Sequence, residues 1–420
     1  MTKHVTPKAL RGTGSTDPAM NRELERTGTP PSAIAEQMLP AAVPAHPRRP
    51  PKELGQIVLV LQGGGALGAY QIGAYRALQE AGVEPDWVIG TSIGAINASL
   101  IAGNAPEERM DRIDEFWSRM QHDPWTELLA AWPIMGPLGS NLMTIMRGIP
   151  AFFRPNPRAF LGVHVPLEPE SAGYYDTSPL ARTLSELVDF ERINERKMRL
   201  TVGAANVRTS EMRYFDSRNM DLDIRHVMAS GALPPAFPAV RIEGELYWDG
   251  GILSNTPVEA VFDDNPRQNS LIFAVHIWNP QGSEPDTIWE VLNRQKDIQY
   301  SSRAVSHITR QKQIHRLRHV IAELVRRLPE AERKTQAIRE LAGFGCLTRM
   351  HVVRLLAPPI DGEDHTKDID FSGRGIRRRR EAGYADMCRI LETAPWSGEF
   401  DPVEGFILHE AHPGVVMTAG

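Results

Sequence analysis

The stretch VIGTSIGAINAS, residues 88–99, places Ser92 between Gly90 and Gly94. An apolar run precedes the serine and small residues follow it, so the pattern predicts a tight turn from a buried strand into a helix. A G-x-S-x-G turn of this kind can hold its serine in a strained conformation with the hydroxyl exposed as a nucleophile. The same pattern also arises by chance in ordinary turns, so the neighbouring sequence must distinguish a catalytic serine from a structural one.

The sequence before this turn predicts the surrounding architecture. QIVLVLQ (56–62) is a β-branched run next to glycine and predicts a buried strand. GGGALG (63–68) follows, AYQIGAYRALQEAGV (69–83) has the pattern of a helix, and DWVIG (86–90) that of a second strand. Strand, glycine turn, helix and strand in this order indicate an α/β fold with a parallel sheet. Further strands are predicted at 199–207, 245–250, 271–278 and 350–358, and helices at 180–190 and 225–233.

The glycine run contributes Gly63, Gly64, Gly65 and Gly68. It satisfies G-x-G-x-x-G between a strand and a helix, which is also the dinucleotide-binding fingerprint, and Asp86 lies near the offset expected for a ribose-binding acid. Glycines let backbone N–H groups crowd at a helix N-terminus, where they can hold a diphosphate or a tetrahedral oxyanion. The serine turn one βαβ unit downstream favours the oxyanion, and a nucleotide-binding module stays the alternative.

A serine nucleophile needs a base, and histidine is one candidate. The order Ser92, Asp249, His276 fits the Ser-acid-His order of α/β-hydrolases. His276 lies within the apolar strand FAVHIWNP, however, which is typical of a buried core histidine. His226 precedes an apolar helix and is equally consistent with the protein surface.

Aspartate is the other candidate for the base. In YWDGGILSNTP (247–257), Asp249 ends a predicted strand and is followed by Gly250 and Gly251. These two glycines allow another backbone or a substrate to approach closely. An ordinary Asp-Gly turn explains this stretch equally well when it is taken by itself.

Together, GGGALG, GTSIG and DGG resemble, in order, the oxyanion loop, nucleophile elbow and catalytic aspartate motif of the patatin-like phospholipases. ASGALPPAFP (229–238) resembles the proline-bearing block of the same family, and the resemblance covers residues 55–265. FFRPNP, YYDTSPLARTLSELVDFERIN and KDIDFSGRGIRRRREAGYADM resemble a bacterial branch with a C-terminal extension.

The resemblance implies a patatin-like three-layer α/β sandwich with a mostly parallel sheet between helices. It makes Ser92 the nucleophile and Asp249 the base of a Ser-Asp dyad without histidine. The N–H groups of Gly63, Gly64 and Gly65 would then stabilise the oxyanion. No metal and no cofactor is implied, and the substrate would be a lipid ester. The glycines that support the motifs are Gly68, Gly90, Gly94, Gly250 and Gly251. Leu67 departs from the family, because many members carry Arg or Lys there.

Composition limits the other functions. A net charge of −5 gives no general electrostatic reason to expect nucleic acid as a partner. Cys346 and Cys388 can form neither a disulfide framework nor a metal site with typical spacing. No apolar run approaches the ~20 residues of a membrane span, and the N-terminus lacks the apolar core of a secretory signal. A cytoplasmic protein is therefore expected, with peripheral membrane contact left open.

The predicted organisation has three parts: a flexible proline-rich leader (1–54), a catalytic domain (55–280) and a mostly helical C-terminal region (281–420) docking on that domain. Residues 116–160 are rich in Trp, Met and Phe and would either line a pocket or form an additional helical layer. Residues 307–334 predict a helix up to Pro329, with basic residues beside one apolar stripe formed by Ile314, Leu317, Ile321, Leu324 and Leu328.

We expect that stripe to pack on the core, with an anionic membrane surface as the alternative. The cluster GRGIRRRRE (373–381) is also basic, and either anionic lipid or nucleic acid would explain it. The leading functional hypothesis is a serine acyl hydrolase acting on phospholipids or related lipids. The alternatives are an esterase acting on short-chain or polymeric esters and a non-catalytic lipid- or nucleotide-binding module.

Overall fold

The computed structural model describes residues 50–121, 146–360, 363, 365–401, 404–412 and 415–419. The predicted leader therefore lies outside the described residues except for its last five. The same holds for residues 122–145 of the aromatic segment.

A sheet of ten strands forms the centre of the described part of the chain, in the order β12-β11-β10-β9-β1-β2-β5-β8-β7, with β6 also paired to β5. The six strands from β11 to β5 in this order pair in parallel, and β6, β7, β8 and β12 pair antiparallel. The bounds of these strands are β1 Gln56–Leu61, β2 Trp87–Thr91, β5 Arg199–Asn206, β6 Met212–Asp216, β7 Val240–Ile242, β8 Glu245–Asp249, β9 Ser270–His276, β10 Met350–Leu356, β11 Phe406–His412 and β12 Val415–Ala419. A separate two-stranded sheet pairs β3 (Arg154–Pro155) with β4 (Tyr175–Asp176).

The described α-helices are α1 Ala69–Glu80, α2 Ile93–Ala102, α3 Arg109–Met120, α4 Ser178–Leu187, α5 Phe190–Asn194, α6 Ile224–Ser230, α7 Glu259–Phe262, α8 Ile288–Arg327, α9 Glu330–Arg333, α10 Gln336–Ala342 and α11 Gly373–Thr393. Strands β1, β2, β5, β8, β9 and β10 and helices α1, α4 and α6 lie where the sequence predicts them. Strands β6, β7, β11 and β12 were not predicted, because they are short or polar, or lie at the end of the sheet.

Alternating side chains of the central strands face two hydrophobic cores. Leu59 and Leu61 of β1 belong to the larger core, which helices α1, α2, α3 and α11 cover. Val58 and Val60 belong to the smaller core on the opposite face, with residues of α7 and with Ile308 of α8. Because helices cover both faces of a mostly parallel sheet, the fold is a three-layer α/β sandwich, as predicted.

The C-terminal part of the chain contributes to both the sheet and a helical layer. Strand β10 pairs with β9, and β11 continues the parallel sheet beyond β10. Helix α11 packs along α1, where Tyr70 donates a hydrogen bond of 2.6 Å to Asp386. The division at residue 280 stays a prediction, since the sheet continues across it.

The expected packing of the basic helix is wrong for part of its apolar stripe. Leu317 is 64% exposed and Leu324 is 61% exposed, although both were expected to contact the core. The buried side chains of this half of α8 are His315 and His319, which follow Ile308 at spacings of seven and four residues. The face of α8 that points into the protein is therefore shifted by about one residue along the sequence from the predicted apolar stripe. His315 and His319 lie on this inward face.

Candidate active site

Ser92 occupies the turn between the end of β2 and the start of α2. Its backbone has φ 57° and ψ −127°, a conformation that non-glycine residues rarely adopt. Both neighbouring glycines are required sterically: a Cβ at Gly90 would lie 2.2 Å from the Gly94 carbonyl oxygen, and one at Gly94 would lie 2.2 Å from that of Leu61. The turn thus has the strained geometry expected of a nucleophile elbow.

Ser230 holds this turn from the adjacent segment. The Ser92 N–H donates to the Ser230 carbonyl oxygen at 3.1 Å and to its hydroxyl oxygen at 3.0 Å. The Ser230 hydroxyl in turn donates to the carbonyl oxygen of Gly203 on β5, at 2.6 Å. The block ASGALPPAFP therefore positions the serine turn through its second residue.

Asp249 ends β8 directly beside the serine. Its N–H donates to the Ala232 carbonyl oxygen at 2.9 Å, and its Oδ1 accepts the Gly251 N–H at 2.7 Å. The Ser92 side chain lines the same cavity and also interacts with this carboxylate. Asp249 is 2% exposed, and this burial raises its pKa to about 6, although the bonds from Ser92 and Gly251 act in the opposite direction. The carboxyl therefore changes its protonation state close to neutral pH.

The two histidines considered from the sequence lie elsewhere. His276 is 1% exposed on β9, where burial holds its pKa well below its usual range. The His226 ring accepts the Asp223 N–H at 2.9 Å and caps α6. Neither residue lines the cavity at Ser92.

The glycine loop lies against the serine turn, since a Cβ at Gly63 would be 2.9 Å from the Ser92 Cβ. The Gly63 N–H donates to the Asn255 carbonyl oxygen at 3.1 Å, so it is already used within the fold. Of the three predicted donors, Gly64 and Gly65 keep N–H groups with no acceptor in the described part of the chain. The Ile93 N–H at the start of α2 is a third such donor.

Gln62 fixes the glycine loop to the end of β9. Its Oε1 accepts the N–H groups of Ile277 at 2.6 Å and of Trp278 at 3.0 Å. Its amide donates to Thr256 Oγ1 at 2.8 Å, and its carbonyl oxygen accepts from the Gln71 amide at 2.6 Å. Gln62 was not identified from the sequence, although a polar residue at the end of an apolar strand was the available signal.

A cavity of about 200 Å³ opens at Ser92 and Asp249. Most of its lining is apolar, and Phe152 and Phe153 of the aromatic segment belong to it, which supports the pocket interpretation for that part of the segment. Four lining residues come from the C-terminal region and were not anticipated: Tyr300, Asp368, Ile369 and Phe371. Gly63, Gly64, Gly65 and Gly251 also line the cavity, whereas Gly68, Gly90, Gly94 and Gly250 are absent from its lining.

The described residues offer neither a metal site nor a membrane-spanning helix. They contain no group of three or more His, Cys, Asp or Glu side chains arranged to hold a metal ion. None of the described helices is both long and apolar enough to cross a bilayer.

Two family models match the chain. One is described as patatin-like phospholipase and matches residues 59–262, and the other is described as patatin phospholipase and matches residues 298–403. The chain belongs to the patatin-like phospholipase family. The first match contains the serine turn, the glycine loop and Asp249, and the second contains the C-terminal residues of the cavity wall.

Relatives with curated names are distant. Lysophospholipase nte1 of Aspergillus terreus is 26% identical over 250 residues, which are 54% of this chain and 14% of that protein. Patatin-like phospholipase domain-containing protein 7 of Mus musculus is 28% identical over 204 residues, 48% of this chain and 12% of that protein. Because the chain matches a small part of each relative, their whole activities do not transfer to it.

Two solved structures of bacterial proteins are also similar. VipD from Legionella pneumophila has a TM-score of 0.33 and 16% identity, over 80% of this chain and 67% of that one. The ExoU–SpcU complex of Pseudomonas aeruginosa has a TM-score of 0.33 and 18% identity, over 84% and 53%. At these TM-scores, neither supports an inference about this chain.

Proposed function

We propose that the chain is a serine acyl hydrolase that cleaves carboxylic ester bonds of phospholipids or related lipids through Ser92 and Asp249. The observation that carries the proposal is that the strained Ser92 turn and the buried Asp249 carboxylate line the same apolar cavity. A structural serine would need neither a strained backbone nor a buried acid as its partner. Family membership and relatives named lysophospholipase support the same reaction class.

In the first half of the reaction, ionised Asp249 accepts the proton of the Ser92 hydroxyl as Oγ attacks the ester carbonyl carbon. The negative charge that develops on the carbonyl oxygen is stabilised by the N–H groups of Gly64 and Gly65, with the Ile93 N–H at the start of α2 as a further donor. Collapse of the tetrahedral intermediate breaks the bond to the alcohol, which leaves with the proton from Asp249. An acyl group then remains on Ser92 Oγ.

In the second half, Asp249 accepts a proton from a water molecule that attacks the acyl carbonyl carbon. The same N–H groups stabilise the second oxyanion. Its collapse breaks the bond to Oγ, which takes the proton back from Asp249 and releases the carboxylic acid. The raised pKa of Asp249 suits this role, because a base that titrates near the working pH both accepts and returns protons readily.

The lining of the cavity favours an acyl chain over a polar ligand. Phe152, Phe237 and Phe371 contribute aromatic surface to it, and Phe371 is 2% exposed. At about 200 Å³, the cavity is only modestly larger than one that holds a benzene ring. Because a cavity of this size also suits a short acyl group, hydrolysis of short-chain esters is the second candidate function.

A series of p-nitrophenyl esters with acyl chains of two to sixteen carbons, together with lysophosphatidylcholine, distinguishes the two candidates. A lipid hydrolase cleaves the lysolipid and prefers medium or long chains, and Phe371→Ala extends the preferred chain length. Phe344→Ala, at a side chain that is 69% exposed, is the matched control and leaves the preference unchanged. A maximum at two carbons with no lysolipid cleavage would favour the esterase, and no cleavage at all would favour a binding module.

Contact with a lipid surface is the second part of the proposal. The first turns of α8 expose large apolar side chains, with Ile288 75%, Trp289 51% and Leu292 40% exposed. The same helix carries Tyr300, which lines the cavity three turns later. We propose that these side chains enter the interface of a lipid surface and bring the cavity close to its substrate.

A further inference from the structure

The part of the cavity wall that comes from the C-terminal region has no role in the bond-breaking steps. Tyr300 belongs to α8, and Asp368 and Ile369 belong to a 3₁₀ turn, Lys367–Ile369. More than sixty residues of chain separate Tyr300 from the turn. Their joint presence beside Ser92 therefore requires contacts that bring them together and hold them there.

The turn rests directly on the glycine loop. Gly65 has φ 56°, and a Cβ at this position would lie 2.2 Å from the Asp368 carbonyl oxygen. No residue larger than glycine fits there without movement of one of the two backbones. The position of the turn consequently limits the position of the N–H groups of Gly64 and Gly65.

Two reciprocal ion pairs join the turn to α8. Helix α8 carries the sequence Lys296-Asp297, and the turn carries Lys367-Asp368. Lys296 Nζ lies 2.7 Å from Asp368 Oδ1, and Lys367 Nζ lies 2.7 Å from Asp297 Oδ1. Because each lysine binds the aspartate of the other dipeptide, a shift of the turn along the helix would break both pairs and leave the buried charges of Asp297 and Lys367 unpaired. The two ion pairs therefore fix the position of the turn along α8.

Further contacts connect this arrangement to the loop and to α11. Arg379, which is 3% exposed, donates to the Lys367 carbonyl oxygen at 3.2 Å and to that of Asp370 at 3.0 Å. The Lys367 ammonium lies 5.4 Å from the centre of the Trp278 ring, and Trp278 Nε1 donates to the Gly63 carbonyl oxygen at 2.8 Å. Arg379 thus holds the turn from α11. The turn contacts the glycine loop directly at Gly65 and indirectly through Trp278.

We propose that Lys296, Asp297, Lys367 and Asp368 are positioning residues, whose crossed ion pairs hold the Gly63–Gly65 loop in its catalytic geometry. This gives the C-terminal region a role in the reaction at Ser92, and in that respect the inference rests on the proposed function. A displacement of about 1 Å in a catalytic group can cost about 10²-fold in rate, so a small shift of the loop would be measurable.

The test uses the full chain with Lys296→Asp, with Asp368→Lys, and with both substitutions together, which restores the pair with reversed charge. The matched control is Glu404→Lys, which reverses a charge in the Lys312–Glu404 pair between α8 and the segment before β11. Two readouts are taken: hydrogen exchange of the peptide covering residues 62–71, followed by mass spectrometry, and the rate of labelling by a fluorophosphonate. Circular dichroism checks that each variant is folded.

Each single variant is expected to exchange about tenfold faster in residues 62–71 and to be labelled 10- to 100-fold more slowly, and the double variant is expected to recover both rates. The control is expected to match the wild type. If a single variant does not fold, Asp368→Asn replaces it, since this change removes only the charge.

Wild-type exchange and labelling in the folded single variants would overturn the positioning role, as would a folded double variant without recovery. Hydrogen exchange does not depend on catalysis. If the wild type itself is not labelled, the hydrolase proposal fails, and the exchange rates alone then decide whether the ion pairs hold the loop.

Discussion

The two sides of the cavity are built in different ways. On one side, backbone conformation and small residues hold Ser92, the glycine loop and Asp249, all within the segment matched at 59–262. On the other side, Tyr300 and Asp368 are brought together by side-chain ion pairs between distant segments. The proposed chemistry thus depends on short local motifs, whereas the shape of the cavity also depends on long-range contacts that no local sequence motif indicates.

The largest loss of activity is expected on the side of the cavity formed by the sequence motifs, here called the motif side. Asp249→Asn keeps an oxygen that can accept the Ser92 and Gly251 hydrogen bonds but removes the base. Ester hydrolysis should fall by about 10⁴-fold, the loss typical when the acid of a catalytic triad is changed to its amide. Steady-state kinetics with a p-nitrophenyl ester measures this.

His276→Gln is the control for that change, because this buried side chain lies outside the cavity lining. It should retain most of the activity. An equal loss in the two variants, both folded, would restore a histidine triad and contradict the dyad.

The next largest loss of activity is expected from a change at the contact between Gly65 and Asp368, where the two sides of the cavity meet. Gly65→Ala introduces a Cβ at a positive φ and against the Asp368 carbonyl oxygen, so it should displace an oxyanion donor and lower kcat by about 10²- to 10³-fold. Gly82→Ala is the matched control, since Gly82 has φ +68° and no neighbouring atom within 4 Å. Similar kinetics for the two variants would show that backbone strain alone, and not displacement of the donor, explains the loss.

A third prediction uses the protonation of Asp249. Burial raises its pKa in the folded chain to about 6, whereas an exposed aspartate titrates near 3.9. The folded state therefore binds the proton more tightly than the unfolded state, so the free energy of unfolding falls as pH rises from about 4 to about 6. The two-unit shift corresponds to a cost of about 3 kcal/mol at neutral pH.

Asp249→Asn should remove that cost and be more stable than the wild type at pH 7 by up to this amount, with no gain at pH 4. Urea unfolding at the two pH values measures the difference. Over the same interval, kcat/KM of the wild type should fall about tenfold per pH unit below pH 6, because the base becomes protonated. Constant activity down to pH 4 would contradict a base with this pKa.

The sequence allowed the motif side to be predicted nearly completely. The strand, turn and helix around Ser92 and the position of Asp249 follow from local patterns, and the structure places these residues together. Gly63 was predicted as an oxyanion donor, but its N–H is bonded to Asn255, a pairing between residues far apart in the sequence.

The C-terminal side could not be predicted from such patterns. Lys296-Asp297 and Lys367-Asp368 are ordinary surface dipeptides when they are considered separately, and only the fold pairs them. The prediction that the apolar stripe of α8 packs on the core was wrong for a related reason. Hydrophobicity alone did not indicate that His315 and His319 face inward.

The smallest expected effect concerns the lipid surface. Trp289→Ser with Leu292→Ser should weaken binding to phosphatidylcholine vesicles by about tenfold or more, because full burial of a large apolar side chain contributes roughly 1.5–3 kcal/mol and about half of each of these two side chains is exposed. Leu324→Ser is the control: it is equally apolar and 61% exposed, but lies about 36 Å beyond Tyr300 along α8. Vesicle sedimentation measures the difference, and a stronger effect at Leu324 would place the lipid contact at the basic end of the helix.

Fluorophosphonate labelling of the wild type and of Ser92→Ala, read by intact mass, tests directly whether Ser92 is the nucleophile. We predict the addition of one phosphonyl group to the wild type and none to the folded variant, because Ser92 is the activated nucleophile. Labelling that persists in Ser92→Ala, or a folded wild type that remains unlabelled, would contradict the assignment of Ser92 as the nucleophile of a serine acyl hydrolase.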